Sequence, residues 1–291
     1  MKRGVLLLAH GAPERIEDVP EYLEYVRGGR PTAPAVVDEV RRRYAEIGGS
    51  SPLHRWTRVQ AEALQKALGI PVYYGMRNWH PFIRETMARV AADGIERLAA
   101  VCMAPQYSKL SVGLYFRRTQ EAKQEAGARA EIVWAKSFHK HPRLIEAFAE
   151  RLAPVADRRK VLFTAHSLPE KILEQADPYA AESRATAAAV AERLNLADWD
   201  FAYQSQGMTD DTWLGPTVEA CIERYAGAGV AEVALAPIGF VCDHIEILYD
   251  VDILFRRYAE SRGIRLVRPE SLNGSPELTA ALAEVAERCL G

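Results

Sequence analysis

Two histidines stand where an apolar run stops. Val5-Leu-Leu-Leu-Ala-His10 and Val161-Leu-Phe-Thr-Ala-His166 each put an imidazole at the end of a short strand of buried type. In an open parallel sheet, ligands sit outside the carboxyl ends of the strands, so a polar side chain there faces a cleft by topology alone. Imidazole titrates near neutrality and can either accept a proton or ligate a divalent first-row metal. A third run, Pro237-Ile-Gly-Phe-Val-Cys-Asp-His-Ile-Glu246, brings a carboxylate to another strand end. Apolar spacing predicts a helix over Asp243–Ser261, with Asp243, Glu246 and Asp250 on one face and Ile245, Leu248, Phe255 and Ala259 as the opposite stripe. Each residue also has a plain structural reading: His166 as a hydrogen-bonded imidazole, Glu246 as a solvated helix carboxylate. His244 reads as structural, and His54, His80, His139 and His141 as surface or loop histidines.

Other chemistries fail on their motifs. The chain has no G-x-G-x-x-G after its first strand, no lysine completing Gly48-Gly49-Ser50-Ser51 as a phosphate loop, no G-x-S-x-G and no H-E-x-x-H. Arg27, Arg30, Arg41, Arg42 and Arg43 lie near the edge of the first cleft. They are either solvated helix charges or bidentate holders of substrate carboxylates.

The elements that must position these residues alternate strand with helix throughout, the pattern of an α/β fold with parallel sheets. Strands are predicted near 5–9, 72–75, 98–104, 131–135, 161–166, 201–204, 232–236 and 264–267. Helices fill the intervals, including 16–27, 35–47, 54–68 and 81–93. Ser51 is read as an N-cap before a Pro52 opening, and Asp177 as the N-cap of a helix with Pro178 at its first position. The two halves also echo each other. Ala9-His10-x-x-Pro13-Glu14 matches Ala165-His166-x-x-Pro169-Glu170, and a later apolar run ends in Ala104-Pro105 in one half and Ala236-Pro237 in the other. Two matches in the same order imply two similar Rossmann-like units, residues 1–155 and 156–291, each a parallel sheet flanked by helices. The cleft lies between them, and the last helix is free to pack back on the first unit.

Bulk composition narrows the partners. A net charge of −2 gives no positive excess for a phosphate backbone or an anionic membrane, so no nucleic acid is expected. The apolar run at the start is too short for a signal segment, and no run approaches the ~20 residues of a membrane span. Cys102, Cys221, Cys242 and Cys289 are widely spaced with no C-x-x-C pair, as suits buried thiols in a reducing, cytoplasmic setting.

At these residues the sequence resembles the ferrochelatases, a family of the class II chelatase fold, over nearly its whole length. Thr164-Ala-His-Ser-Leu-Pro-Glu-Lys171 is similar to the family's histidine motif and Gly239-Phe-Val-Cys-Asp-His-Ile-Glu-Ile-Leu-Tyr-Asp250 to its glutamate motif. Ile47-Gly-Gly-Ser-Ser-Pro-Leu53, Ala104-Pro-Gln-Tyr-Ser108 and Leu272-Asn-Gly-Ser-Pro276 match lesser landmarks. The resemblance implies that His166 and Glu246 bind ferrous iron, the substrate, and accept the pyrrole protons of a porphyrin that leaves as haem product. The absence of an apolar insertion before Gly48 is similar to the monoderm branch, whose members metallate coproporphyrin III; protoporphyrin IX is the next choice. That branch implies Arg27, Arg43, Tyr44, Ser51 and Tyr115 around the ring and its propionates, a monomer and no prosthetic group. Three departures stand out: His10 replaces the tyrosine that acts as an axial ligand to product iron, Leu254 interrupts the acidic row after Asp250, and no C-terminal cysteine cluster exists for an iron–sulfur centre. A cobalt or nickel chelatase acting on sirohydrochlorin, and a non-catalytic haem or porphyrin carrier with His10 as its ligand, are the alternatives.

Overall fold

The computed structural model describes residues 1–157, 159–207 and 211–291. The first half runs β1 (Arg3–Ala9), a 3₁₀ turn (Ile16–Asp18), α1 (Val19–Val26), α2 (Pro34–Glu46), α3 (Leu53–Leu68), β2 (Val72–Met76), α4 (Ile83–Ala92), β3 (Arg97–Cys102), α5 (Val112–Glu125), β4 (Glu131–Ala135) and α6 (Pro142–Ala156). The second half runs β5 (Lys160–His166), α7 (Lys171–Glu174), α8 (Tyr179–Arg193), β6 (Trp199–Gln204), α9 (Val218–Gly227), β7 (Glu232–Pro237), a π-helix (Glu246–Phe255), α10 (Arg256–Ser261), β8 (Arg265–Val267) and α11 (Pro276–Leu290). Two parallel four-stranded sheets result, ordered β2-β1-β3-β4 and β6-β5-β7-β8. The order is the same in both, and the strands that end near His10 and at His166 hold the same place. In each sheet the chain leaves one strand and places its next two partners on opposite sides of it, so a crevice opens at the carboxyl ends of β1 and β3, and of β5 and β7.

Alternation along the strands decides which elements touch. Val5 and Leu7 point to one face of β1, Leu6 and Leu8 to the other, and all four are fully buried. The Val5 and Leu7 face merges with Ala99 and Val101, with Leu144, Phe148 and Leu152 of α6, with Leu278 and Leu282 of α11, and with Val161, Phe163 and Ala234 of the second sheet. A single apolar core therefore runs through both halves. At ~1.5–3 kcal/mol per buried large side chain, it couples the two sheets strongly. The outer faces have their own cores: Leu6, Leu8 and Leu98 against α4 and α5, and Leu162, Val233 and Leu235 against α9 and the π-helix. The last helix, α11, lies against α3, α6, β3 and β4, where Arg97 donates to the Cys289 carbonyl at 3.1 Å. Among the described residues no helix is long and apolar enough to cross a membrane.

Several local expectations change. The helix predicted over Asp243–Ser261 begins only at Ile245 and is a π-helix through Phe255. Its hydrogen bonds span five residues rather than four, so faces assigned on the α period slip. The buried stripe is Ile247, Val251, Phe255 and Ala259, not Ile245 and Leu248. Asp177 does not cap α8 from the position its spacing suggests; Pro178 occupies that place. One Asp177 oxygen accepts from Tyr179 N–H at 3.0 Å, and the other from Ser108 Oγ and Lys109 N–H, at 3.0 and 2.7 Å. It thus ties the two halves together. His141 is buried, 5 % exposed, at the start of α6, where α11 covers it and Glu284 lies 3.3 Å away.

One glycine sets how closely the strand ends approach. A Cβ on Gly239 would lie 2.9 Å from the Ala165 Cβ and 3.0 Å from its Cα, so the tail of β7 can lie beside the end of β5 only without a side chain. Gly239→Ala is expected to destabilise the fold by about 1–3 kcal/mol through overpacking, read as a lower urea midpoint at unchanged slope. An unshifted midpoint would show that the two tails can part freely.

Candidate active site

A cavity of about 540 Å³ lies where the two crevices face each other, within the range of sites for a cofactor-sized molecule. Its walls are the loops that follow β1, β2, β3, β5 and β7, together with Ser51, Tyr22, Tyr115 and Tyr179. His10, Ser51, Tyr115, His166 and Glu246 of the sequence-derived set all line it. Arg27, Arg43 and Tyr44 do not. Arg27 is exposed at the end of α1. Arg43 donates to Glu39 at 2.9 Å and its guanidinium sits 5.2 Å from the centre of the Tyr249 ring. Tyr44 is buried behind the wall, and its hydroxyl has no partner among the described residues. Arg42, also nominated for carboxylates, is engaged by Glu39, Glu46 and the Tyr249 hydroxyl. The α2 arginines thus latch that helix to the π-helix.

His166 and Glu246 form the chemical centre, and both belong to the second unit, one ending β5 and the other opening the π-helix. Three contacts fix the strand end. Tyr179 donates its hydroxyl to the His166 carbonyl at 2.8 Å, Ser167 N–H donates to the Gln204 carbonyl at 2.7 Å, and Ser167 Oγ donates to the Leu214 carbonyl at 2.9 Å. The His166 Nδ1 contacts the Ser167 carbonyl. A carbonyl only accepts, so the ring proton belongs on Nδ1 and the Nε2 lone pair points away. What it points at is Glu246 Oε2, 3.5 Å away, a buried oxygen with no hydrogen-bond donor among the described residues. Two ligand atoms about 2.1 Å from one ion would be separated by a similar distance. Lone pair faces lone pair, and the gap suits a proton or a cation.

Glu246 is held by its loop. The Asp243 carboxylate, expected to share its face, is tied off instead by Ser271 Oγ at 2.7 Å, Asn273 Nδ2 at 2.9 Å and Arg268 at 3.3 Å. That anchors the turn from which the π-helix starts. Asp250 does stay near Glu246: it is buried, and accepts from Ser205 Oγ at 2.5 Å. Burial first, and the Glu246 charge second, push its carboxyl up to about 6. No group of three or more His, Cys, Asp and Glu side chains among the described residues could hold a metal. A metal at His166 and Glu246 therefore keeps most of its coordination positions for something else in the cavity.

The opposite wall carries His10. Its Nδ1 lies 3.4 Å from an Arg77 guanidinium nitrogen, and its Nε2 3.1 Å from the Asn78 amide. Burial, then the Arg77 charge, hold its pKa well below the ordinary value, so the ring is neutral at pH 7. Arg77 in turn stacks on Tyr115, 4.9 Å from the ring centre. Sequence reasoning missed Arg77, although it follows β2 as His10 follows β1, and the same strand-end argument applies to it. His244, set aside as structural, also lines the cavity, its ring edge-on to Phe240 at 4.5 Å. Its place two residues before Glu246 on one loop was the available signal.

Comparisons with known proteins identify the family and the fold. The family model described as ferrochelatase matches residues 2–290. A ferrochelatase of Acidobacterium capsulatum is 45% identical over 309 residues, covering 98% of this chain and 94% of that protein. A coproporphyrin III ferrochelatase of Geobacillus thermodenitrificans is 34% identical over 298 residues, covering 97% and 94%. The solved structure of SirB from Bacillus subtilis with Fe3+ superimposes with a TM-score of 0.64 at 9% identity, covering 99% of this chain and 96% of that one. That likeness is one of fold, the class II chelatase fold.

Asp250 supplies a pH test of the site's electrostatics. Its carboxyl is raised from 3.8 to about 6 in the folded chain, so the folded state holds that proton more tightly than the unfolded one. The penalty of ionising it is absent below pH ~4, grows as pH rises through about 6, and is constant above. Asp250→Asn is therefore expected to gain on the order of 2 kcal/mol over wild type between pH 4 and 7, measured as the difference of urea unfolding curves. A pH-independent difference would show that Asp250 is not strained by its neighbours.

Proposed function

The chain belongs to the ferrochelatase family, and we propose that it inserts ferrous iron into coproporphyrin III through His166 and Glu246. The observation that carries this reading is the pair of donor-free ligand atoms, Nε2 and Oε2, 3.5 Å apart at the wall of a porphyrin-sized cavity. Metal insertion requires two pyrrole N–H protons to leave and the metal to shed water. The His166 Nε2 takes a proton or a coordination position, and the Glu246 carboxylate lowers the cost of a divalent ion in a partly desolvated site. Binding energy from the ring's periphery holds the macrocycle bent, so that its nitrogen lone pairs turn out of plane. Tyr115 and Ser51 bear on the ring from the first unit, and Arg27, exposed at the end of α1, bears on a propionate that reaches the rim.

Coproporphyrin III as the porphyrin is supported by the Geobacillus relative's name. The sirohydrochlorin alternative gives way to the family match along the chain, and the carrier alternative to the reactive pair. Iron is the substrate, so no prosthetic group is needed. One chain completes the cavity, which supports a monomer. The unpaired cysteines support a reducing compartment, the cytoplasm.

His166→Ala is expected to lower metal insertion by at least about 100-fold with little change in stability, because the side chain is 34 % exposed. Glu246→Gln, which keeps the shape, should lose a similar factor. Zinc and iron insertion into coproporphyrin III and protoporphyrin IX, assayed side by side, is the deciding measurement; wild-type turnover by His166→Ala would sink the assignment. His10 faces the pair from the other wall, and an axial imidazole predicts that His10→Phe shifts the Soret band of bound iron coproporphyrin. An unchanged spectrum would make His10 a positioning partner of Arg77.

A further inference from the structure

A second basin, of about 260 Å³, adjoins the cavity and shares one wall with it at Ser51. Its other lining residues are Glu14, Ser50, His54, Arg55 and Arg58, from the loop after β1, the turn that leads into α3 and the first turns of α3 itself. Ser51 is buried, and its hydroxyl accepts from Leu53 N–H at 3.3 Å. Ser51 thus borders both spaces.

Charge makes this basin unusual. Glu14 is the only carboxylate in the lining, and it is taken by His54 Nδ1, whose Nε2 meets the Tyr74 hydroxyl at 3.2 Å. Arg58 has only a long contact, 3.8 Å, to Glu62. Arg55 lies over the Trp56 ring, 4.8 Å from its centre, with no ion-pair partner among the described residues. Arg42 and Arg43 of α2 are committed to Glu39, Glu46 and Tyr249; Arg55 and Arg58 are not. Two guanidinium groups facing a small polar space whose one carboxylate is already engaged by His54 are a receptor for one more carboxylate.

We propose that this basin takes one propionate of a porphyrin seated in the main cavity, at a ring position where coproporphyrin III has a propionate and protoporphyrin IX a vinyl group. The inference rests on the porphyrin reading above and deepens it. A propionate leaving the ring near Ser51 is a short flexible arm, and its carboxylate gains charged hydrogen bonds from Arg55 and Arg58. A vinyl group has no charge or acceptor to offer the two guanidinium groups there. Both arginines are exposed, so water and salt screen the interaction, and the discrimination is moderate and falls with ionic strength. Arg55 and Arg58 are specificity residues, remote from the reacting atoms.

The test is the double variant Arg55→Gln/Arg58→Gln. Dissociation constants for free-base coproporphyrin III and protoporphyrin IX are read by fluorescence quenching, and KM and kcat for zinc insertion are measured in parallel. Coproporphyrin III should bind about tenfold more weakly, with KM raised to match, kcat at saturation retained and protoporphyrin IX changed less than twofold. The loss should shrink at high salt, and Arg55→Lys/Arg58→Lys should recover most of it. Equal weakening of both porphyrins, or no weakening of either, overturns the proposal. Melting curves guard against misfolding, which is unexpected at exposed positions. The binding arm stands apart from catalysis: a wild-type protein that binds porphyrin without metallating it would refute iron insertion and still report on the basin.

Discussion

An imidazole lone pair and a carboxylate oxygen that face each other without a donor between them form a poor contact. Leaving a buried acceptor unpaired costs about 1–3 kcal/mol, and Glu246 Oε2 is left so, 3.5 Å from His166 Nε2. The contact becomes favourable only when a proton or a cation enters the gap. Holding it open requires that neither side chain can turn toward another partner. The Ser167 carbonyl meets the far nitrogen of the ring, Tyr179 clamps its main chain, and Asp243 pins the loop that carries the glutamate. Much of the second sheet's polar bonding serves this restraint.

The two units share a plan but divide the work. Both sheets have the same strand order, and both deliver a histidine at the end of the corresponding strand. The helix after the third strand differs. In the first unit it is α5, an ordinary α-helix presenting Tyr115 to the cavity; in the second it is the π-helix that begins with Glu246. The reactive pair is therefore built in one unit, and the other supplies an aromatic and cationic wall of His10, Arg77 and Tyr115. Their shared core, from Val5 and Leu7 to Val161 and Phe163, keeps the two walls in register, and Asp177 adds a polar tie between them.

Much of this was legible in the residues. The strand runs, the repeat of Ala-His-x-x-Pro-Glu and the placement of His166 at a strand end follow from local pattern, because a buried strand and its turn are written in contiguous residues. The failures are of other kinds. The face of the Glu246 helix was misjudged because helix periodicity presumes four-residue hydrogen bonding, and apolar content alone does not reveal a π-helix. Asp243 and Asp177 were read as helix carboxylates, yet their partners, Ser271 and Asn273 for one and Ser108 and Lys109 for the other, lie far along the chain. Arg43 was assigned to a substrate when Glu39, four residues before it, already held it.

By itself the sequence determined the class of fold, the paired units and the two residues most suited to metal chemistry, since each rests on spacing within a short stretch. Tertiary structure decided what those residues face. Only the packing of the sheets brought Nε2 against Oε2, removed the donors from between them, turned His10, Arg77 and His244 onto the same cavity and placed Arg55 and Arg58 beside it. Contacts between distant segments depend on how the shared core closes, and no local pattern records that.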